Sequence, residues 1–198
     1  MAKKYPIFLN LENKNVLLIG GGLACLEKLQ GLDGTLSRIT VITKDAGIAV
    51  QTWIKEHQGI QLEIREAKNE DMNGRDLIFI ATSDSETNRK FRSYANSLGI
   101  LTNSVDDPSN CDFYSSSLVD LGPVQFSIST DGKFAGLTAA LRRLFDEIVP
   151  KEDGELFEKL FLIRKTLKER LPDKTERRNV LKKIITELEE KYLKKQDN

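Results

Sequence analysis

Two cysteines, one histidine and one tryptophan are all that 198 residues hold of those types. Cys25 and Cys111 stand in unrelated contexts, and with only His57 to join them they cannot assemble a structural zinc site by themselves. Both are expected as buried, reduced thiols, and no metal site is expected. No apolar run exceeds about five or six residues, against the roughly 20 that span a bilayer. The Met1-Ala2-Lys3-Lys4 start has no apolar stretch of the kind a signal peptide carries. A cytoplasmic chain without a membrane partner is expected. Neither sign of charge prevails, since 30 Lys and Arg balance 30 Asp and Glu. No net field then draws the molecule onto nucleic acid or an anionic surface, so a partner must be recognised locally.

What is present is a globular composition, 39% hydrophobic and 30% charged, in a chain long enough to bury a core without metal or disulfide staples. The charge is unevenly placed. Residues 1–150 carry 35 charged side chains, whereas residues 151–198 carry 25, with Gly154 as their one glycine. The density doubles after Pro150, which marks a boundary.

In the first part, short apolar runs alternate with amphipathic stretches, the pattern of βα units on a parallel sheet. Strands are expected at 16–19, 39–43, 62–65, 77–81 and 100–103, with helices at 23–32, 48–57 and 86–98. The run Leu77-Ile-Phe-Ile-Ala81 is apolar throughout and should be an interior strand covered on both faces. Gly99 suits the position just past a helix end. The fold class is therefore α/β, a Rossmann-like doubly wound parallel sheet. Beyond Asn103 the pattern changes. Asp106-Asp107-Pro108 reads as a turn, Val124–Ser129 alternates as a half-exposed strand does, and a helix is expected at 137–148. The tail has one apolar stripe through Leu156, Leu160, Ile163, Leu167 and Leu171, and a second, after Pro172, through Leu181, Ile184, Leu188 and Tyr192. That predicts a helical hairpin. The expected division is a dinucleotide-binding domain at 1–113, a small dimerisation segment at 114–150 and a helical tail at 151–198.

The sharpest motif is Val16-Leu-Leu-Ile-Gly20-Gly21-Gly22-Leu23-Ala24-Cys25, a strand passing through three glycines into a helix. It fits Gly-x-Gly-x-x-small, in which Gly20 permits the tight turn, Gly22 lets backbone approach a pyrophosphate, and Cys25 replaces the third glycine. The free N–H groups at Leu23 and Ala24 would then face the anion. About 20 residues on, Thr43-Lys44-Asp45 ends the second strand, where an acid normally binds the adenosine ribose. Asp45 suits NAD, and Lys44 would instead suit a 2′-phosphate. A solvated Lys-Asp pair is the alternative. Thr82 and Ser83 leave the fourth strand at the ligand-binding edge, either as a cofactor wall or, with Asp84, as a helix cap. Asp106 leaves the fifth strand at the same edge, so it is either a general base beside the nicotinamide, a stabiliser of developing positive charge, or a turn-former. His57 reads as a surface residue at a helix end, and Trp53 as core.

Taken together, these motifs resemble the precorrin-2 dehydrogenase and sirohydrochlorin ferrochelatase family, the N-terminal module of sirohaem synthase. The resemblance runs from Tyr5-Pro6-Ile7-Phe8-Leu9 through the glycine turn, Ile80–Asp84 with Asn88, and Asn103–Pro108. It continues at Cys111-Asp112-Phe113, Gly122-Pro123 and Ile128-Ser129-Thr130. It implies NAD-dependent oxidation of precorrin-2 to sirohydrochlorin, and in some members insertion of ferrous iron. It implies that Asp106 is the key catalytic group and that Leu23, Ala24, Lys44 and Asp45 contact NAD. It also implies a homodimer that exchanges a middle segment, with a helical tail beside the tetrapyrrole cleft. On this resemblance Ser129, Thr130, Lys133 and Arg142 are the candidates for holding the polycarboxylate substrate.

The chain departs from the family pattern in two segments. Val-Ala-x-Arg-Lys is replaced by Ala24-Cys25-Leu26-Glu27-Lys28, which puts an acid near the cofactor helix. Ser-x-Gly-Gly-x-Ser-Pro is replaced by Ser129-Thr130-Asp131-Gly132-Lys133-Phe134-Ala135, in which Asp131 would repel carboxylates if it faced the cleft. The competing readings are a non-catalytic NAD-binding regulatory module and a degenerate family member.

Overall fold

The computed structural model describes residues 4–107, 111–130, 134–149 and 153–193, so Pro108, Asp131, Lys133 and Pro150 lie outside the described residues. The chain forms two compact units, residues 1–115 and 116–198.

The first unit is a five-stranded parallel sheet built from β1 (Asn15–Ile19), β2 (Arg38–Thr43), β3 (Ile60–Ile64), β4 (Leu77–Ile80) and β5 (Leu101–Ser104). Its order is β3-β2-β1-β4-β5, with helices α1 (Leu23–Leu32), α2 (Ile48–Glu56) and α3 (Ser85–Ser97) as crossovers. The chain leaves β1 in one direction to β2 and β3 and then returns past it to β4 and β5. Such a reversal opens a crevice between the carboxyl ends of β1 and β4.

Alternate side chains of the inner strands enter two cores. Val16, Leu18, Val41, Leu77 and Phe79 pack with Cys25 and Leu29 of α1 and Val50 of α2. Leu17, Ile19, Ile42, Ile78 and Ile80 pack with Phe91 and Ala95 of α3. The expected doubly wound sheet is therefore present, and β4 is buried at every position between β1 and β5. The third strand begins at Ile60, two residues before the expected start. It is an edge strand with only half its side chains inward, so polar Gln61 and Glu63 obscure its beginning. A 3₁₀ turn at Asn69–Met72, which the sequence pattern does not announce, sinks Met72 completely into the core.

The second unit contains an antiparallel hairpin, β6 (Ser117–Asp120) and β7 (Gln125–Ile128), then α4 (Ala135–Ile148), α5 (Gly154–Arg170) and α6 (Lys174–Leu193). β7 and α4 meet the expectations from alternation and periodicity. β6, only four residues long, had no such signal. The tail is the expected pair of helices, and Asp173 caps α6 by accepting from the Glu176 N–H at 2.8 Å. Leu156, Leu160 and Leu167 are half-buried as the stripe requires, whereas Ile163 is exposed. Phe161, Leu162, Val180 and Ile185 also remain exposed.

One ion pair fastens the strand-end segment to the first unit. Arg92 on α3 donates to both carboxylate oxygens of Asp112, at 2.6 and 2.8 Å, and to the Thr102 carbonyl at 2.9 Å. Asp112 also accepts from the Thr102 N–H at 2.9 Å. Burial pushes the Asp112 carboxyl up, but the Arg92 guanidinium and the Thr102 N–H outweigh it and hold the group below its ordinary value. The Arg92 side chain is only 8% exposed, so an unpaired guanidinium there is costly. Asp112→Ala is expected to destabilise the first unit by about 3 kcal/mol in urea titration. In the parent, this contribution is present above the ordinary carboxylate value of about 3.9 and fades as pH falls through the lower folded value. A midpoint unchanged by Asp112→Ala at neutral pH would show that the pair only decorates the surface.

Candidate functional site

Three glycines join β1 to α1, and each meets a different demand. Gly20 has φ +131°, and a Cβ there would run into the Ala81 carbonyl at the end of β4. A Cβ on Gly21 would run into the Asp45 carbonyl and stand 2.8 Å from Thr43 Oγ1. Gly22 differs, because a Cβ there would meet nothing within 4 Å. The first two glycines are thus required by the protein's own backbone, while the third leaves space that a side chain would take from a ligand. No side chain caps α1 and no acid stands in its first turn, so the amides of Leu23 and Ala24 are open to an anion.

These glycines form the floor of a cleft of about 510 Å³, within the usual size range of small-molecule and cofactor sites. Leu23, Ala24, Thr43 and Lys44 line one side, Glu66 and Ala67 the outer end, and Ala81, Thr82, Ser83, Asp84, Thr87 and Val105 the other. Of the nine positions expected to contact the cofactor, eight line this cleft: Gly20, Gly21, Gly22, Leu23, Ala24, Lys44, Thr82 and Ser83. Asp45 does not. Thr43 Oγ1 donates to the Asp45 carbonyl at 2.7 Å and accepts from its N–H at 3.3 Å, folding that backbone against Gly21. The Asp45 side chain stays exposed, outside the lining. The carboxylate at the cleft's outer end is instead Glu66, whose Oε1 stands 2.9 Å from Lys44 Nζ. Sequence spacing missed it because it follows the third strand, not the second.

The loop after β4 is both a cap and a wall. Asp84 accepts from the Glu86 N–H at 3.0 Å and from Thr87 Oγ1 at 2.6 Å, and these bonds hold its carboxyl below the ordinary value. Thr82 Oγ1 donates to Asn88 Oδ1 at 2.5 Å, while Asn88 Nδ2 donates to the Thr82 carbonyl at 3.1 Å. Asn88 is almost wholly buried, so α3 locks the wall in place.

Asp106 follows β5 and adjoins the cleft, where its neighbour Val105 is part of the lining. Ser104 Oγ donates to Asp106 Oδ1 at 2.5 Å. Burial raises the Asp106 carboxyl, but hydrogen bonds from Ser104, Asn88 and Ser85 outweigh it and hold the group below its ordinary value. It is a carboxylate at neutral pH, suited to facing a developing cation or accepting a proton from a strongly acidic centre. Neither Asn88 nor Ser85 was expected as its support, since their link to residue 106 spans separate elements.

Ser129, Thr130 and Arg142 belong to the second unit, and Lys133 lies outside the described residues. Thr130 Oγ1 accepts from the Phe134 N–H at 3.2 Å, and Arg142 is exposed on α4. Glu27 is exposed and does not line the cleft. His57 stacks on Trp53, whose partly buried ring packs against the core. Cys25 is fully buried and burial pushes its thiol up to about 12, whereas Cys111 is half-buried, with its thiol also pushed up by burial. No group of three or more His, Cys, Asp or Glu side chains able to hold a metal occurs among the described residues. Among them, no helix is long and apolar enough to cross a membrane.

The glycines give a test with opposite outcomes. Gly22→Val has room within the protein, so its melting temperature should match the parent's while dinucleotide binding is lost in calorimetry. Gly20→Ala must displace the end of β4 and should lower the melting temperature instead. A Gly22→Val variant that bound as tightly as the parent would remove the cofactor from this turn.

Comparison with known proteins agrees with this geometry. Residues 7–117 match the model of a family described as putative NAD(P)-binding. The Siroheme synthase of Pseudoalteromonas atlantica is 30% identical over 181 residues, covering 91% of this chain and 39% of that protein. That of Psychrobacter cryohalolentis is 30% identical over 182 residues, covering 91% and 34%. The chain thus spans less than two-fifths of these relatives. A solved precorrin-2 dehydrogenase, SirC, has the same fold, with a TM-score of 0.72 at 21% identity over 92% of this chain and 89% of that one. NAD, expected from the glycine turn, is the cofactor this match supports. By its glycine turn, its strand order and the match over residues 7–117, the chain belongs to the family described as putative NAD(P)-binding, and it is similar to part of the sirohaem synthases.

Proposed function

We propose that the chain is an oxidoreductase of sirohaem biosynthesis that oxidises precorrin-2 to sirohydrochlorin with NAD. The observation that carries this reading is an ionised Asp106, held by a hydrogen bond from Ser104, beside a glycine-floored cleft. A binding module with no chemistry to perform has no use for such a carboxylate.

NAD, when bound, supplies the acceptor for the hydride that leaves the substrate. Loss of hydride leaves the macrocycle electron-poor, and a proton must depart from an adjoining carbon to complete the new double bond. Asp106 faces that charge as a carboxylate and takes the proton. Ser104 holds one of its oxygens in place while Thr82, fixed by Asn88, shapes the cofactor wall. Ser129, Thr130, Lys133 and Arg142 are assigned to the polycarboxylate substrate on the family resemblance.

Ferrous iron is proposed as a second substrate, entering sirohydrochlorin as two pyrrole protons leave, with Asp106 accepting them one at a time and passing each to solvent. A homodimer in the cytoplasm completes the reading. Exposed Phe161, Leu162, Val180 and Ile185 on α5 and α6 support an association that covers them. In the domain plan proposed with it, residues 1–113 bind NAD, 114–150 exchange between protomers and 151–198 form the tail. A chain ending at residue 149 is expected to lose the dimer in sedimentation, and an unchanged dimer would move the interface elsewhere.

The reaction is tested by incubating the protein with precorrin-2 and NAD and following the visible spectrum. Asp106→Asn keeps the size of the side chain but removes its negative charge and its capacity to take a proton. It should lower the rate by about 10²- to 10⁴-fold while NAD affinity stays near the parent's. Asp107→Asn should have a much smaller effect, since the hydrogen bond from Ser104 at the end of β5 goes to Asp106. The working form of Asp106 is the carboxylate, so its titration should cost no activity between pH 6 and 8, with loss only in acid. Equal losses from both variants would reduce Asp106 to a turn-former.

A further inference from the structure

We propose that the Lys44–Glu66 pair, and not Asp45, reads the adenosine ribose of the dinucleotide, with Glu66 accepting from the 2′-hydroxyl and restraining Lys44 so that a 2′-phosphate is refused. This rests on the reading that the glycine-floored cleft binds a nicotinamide dinucleotide.

Within a sheet of this order the ribose lies beyond the end of β2, next to β3. Two charged side chains line that end, Lys44 and Glu66, with Nζ and Oε1 2.9 Å apart. Both are highly exposed, 72% and 71%, so the pair contributes little to stability. Its place on the cleft wall is what distinguishes it from an ordinary surface pair.

The other charges nearby are committed elsewhere. The Asp45 backbone is folded onto Thr43 and Gly21, and its side chain does not line the cleft. Asp84, the other lining carboxylate, caps α3. Arg65, next to Glu66 in the chain, donates to both oxygens of Asp71 at 2.8 and 2.6 Å and to Glu63 at 2.8 Å. Lys44 is therefore the one cation among the described residues lining the cleft, and among those residues Glu66 is the carboxylate whose side chain engages nothing but Lys44.

The two members of the pair pull in opposite directions. A carboxylate accepts both hydrogen bonds of a ribose diol but repels a phosphate, whereas an ammonium attracts a phosphate. With Glu66 ionised and in contact, Lys44 is partly neutralised and the site favours the unphosphorylated ribose. Removing the Glu66 charge both ends the repulsion and releases Lys44.

The test is calorimetric titration of the whole chain with NAD and with NADP. The parent should bind NAD more tightly. In Glu66→Gln the ratio of the NADP to the NAD dissociation constant should fall by about tenfold or more, with no change in melting temperature. Adding Lys44→Ala to that variant should remove the gained NADP affinity, and Asp45→Asn should leave the ratio at the parent value. A ratio within twofold of the parent in Glu66→Gln, a ratio that collapses in Asp45→Asn, or a parent that binds NADP at least as tightly as NAD would each overturn the assignment. A parent that binds neither dinucleotide would overturn the cofactor reading, and this assignment would fall with it.

Discussion

Everything at the site depends on how closely the backbone after β1 approaches its neighbours. Gly20 lies against the Ala81 carbonyl and Gly21 against the Asp45 carbonyl, so the ends of β1, β2 and β4 meet without intervening side chains. The Gly47 N–H donates to the Gly21 carbonyl at 2.9 Å and the Gly20 N–H to the Ile42 carbonyl at 3.0 Å, which fastens the turn to the β2 side. This contact fixes where α1 begins, and with it where an anion finds open amide groups. It also folds the Asp45 backbone inward, which keeps its side chain out of the cleft and leaves Lys44 and Glu66 at the outer end. A single steric requirement at two glycines therefore sets the start of α1 and the outer end of the cleft together.

The opposite end is set by hydrogen bonds instead. Asn88 on α3 fixes the wall at Thr82, and Ser104 at the end of β5 holds Asp106. Arg92, one turn further along the same helix, anchors Thr102 and Asp112. α3 thus acts as a rigid back plate. It presents polar atoms to the sheet edge from one turn and a guanidinium to the following segment from the next. Such buried polar contacts are tolerable because most of their donors and acceptors are matched.

The sheet was legible from the sequence because its inner strands are buried on both faces, and continuous apolar runs such as Leu77–Ile80 leave no other place to go. Gly20 was legible because it answers to a fixed local geometry, a positive φ pressed against the Ala81 carbonyl. Asp45 was misleading because counting residues from a glycine turn locates the end of β2 but says nothing about which way a side chain leaves the next turn. The Thr43 side chain decided that, through bonds to the Asp45 backbone that no spacing rule contains. Glu66 was invisible, and Asn88 was visible only as part of a motif, because what they do comes from contacts across elements, with Lys44 and with Thr82. β3 was blurred at its start and β6 was missed, one because an edge strand alternates with polar residues and the other because four residues carry little pattern.

The charge arrangement along the cleft makes a final point about mechanism. A carboxylate meant to donate a proton is kept neutral by burial, but the donors around Asp106, Ser104 foremost, act against burial and keep it ionised. The same donors weaken it as a base, because any proton it accepts must displace part of that support. Such a group is best matched to a substrate whose own acidity rises sharply during reaction, as a macrocycle's does once a hydride has left it. For the proposed oxidation, early transfer of the hydride followed by loss of a proton to an already ionised Asp106 is the order this arrangement favours. The reverse order would ask a weakened base to remove a proton from a neutral ring, so the donors around Asp106 bias the sequence of events as well as its location.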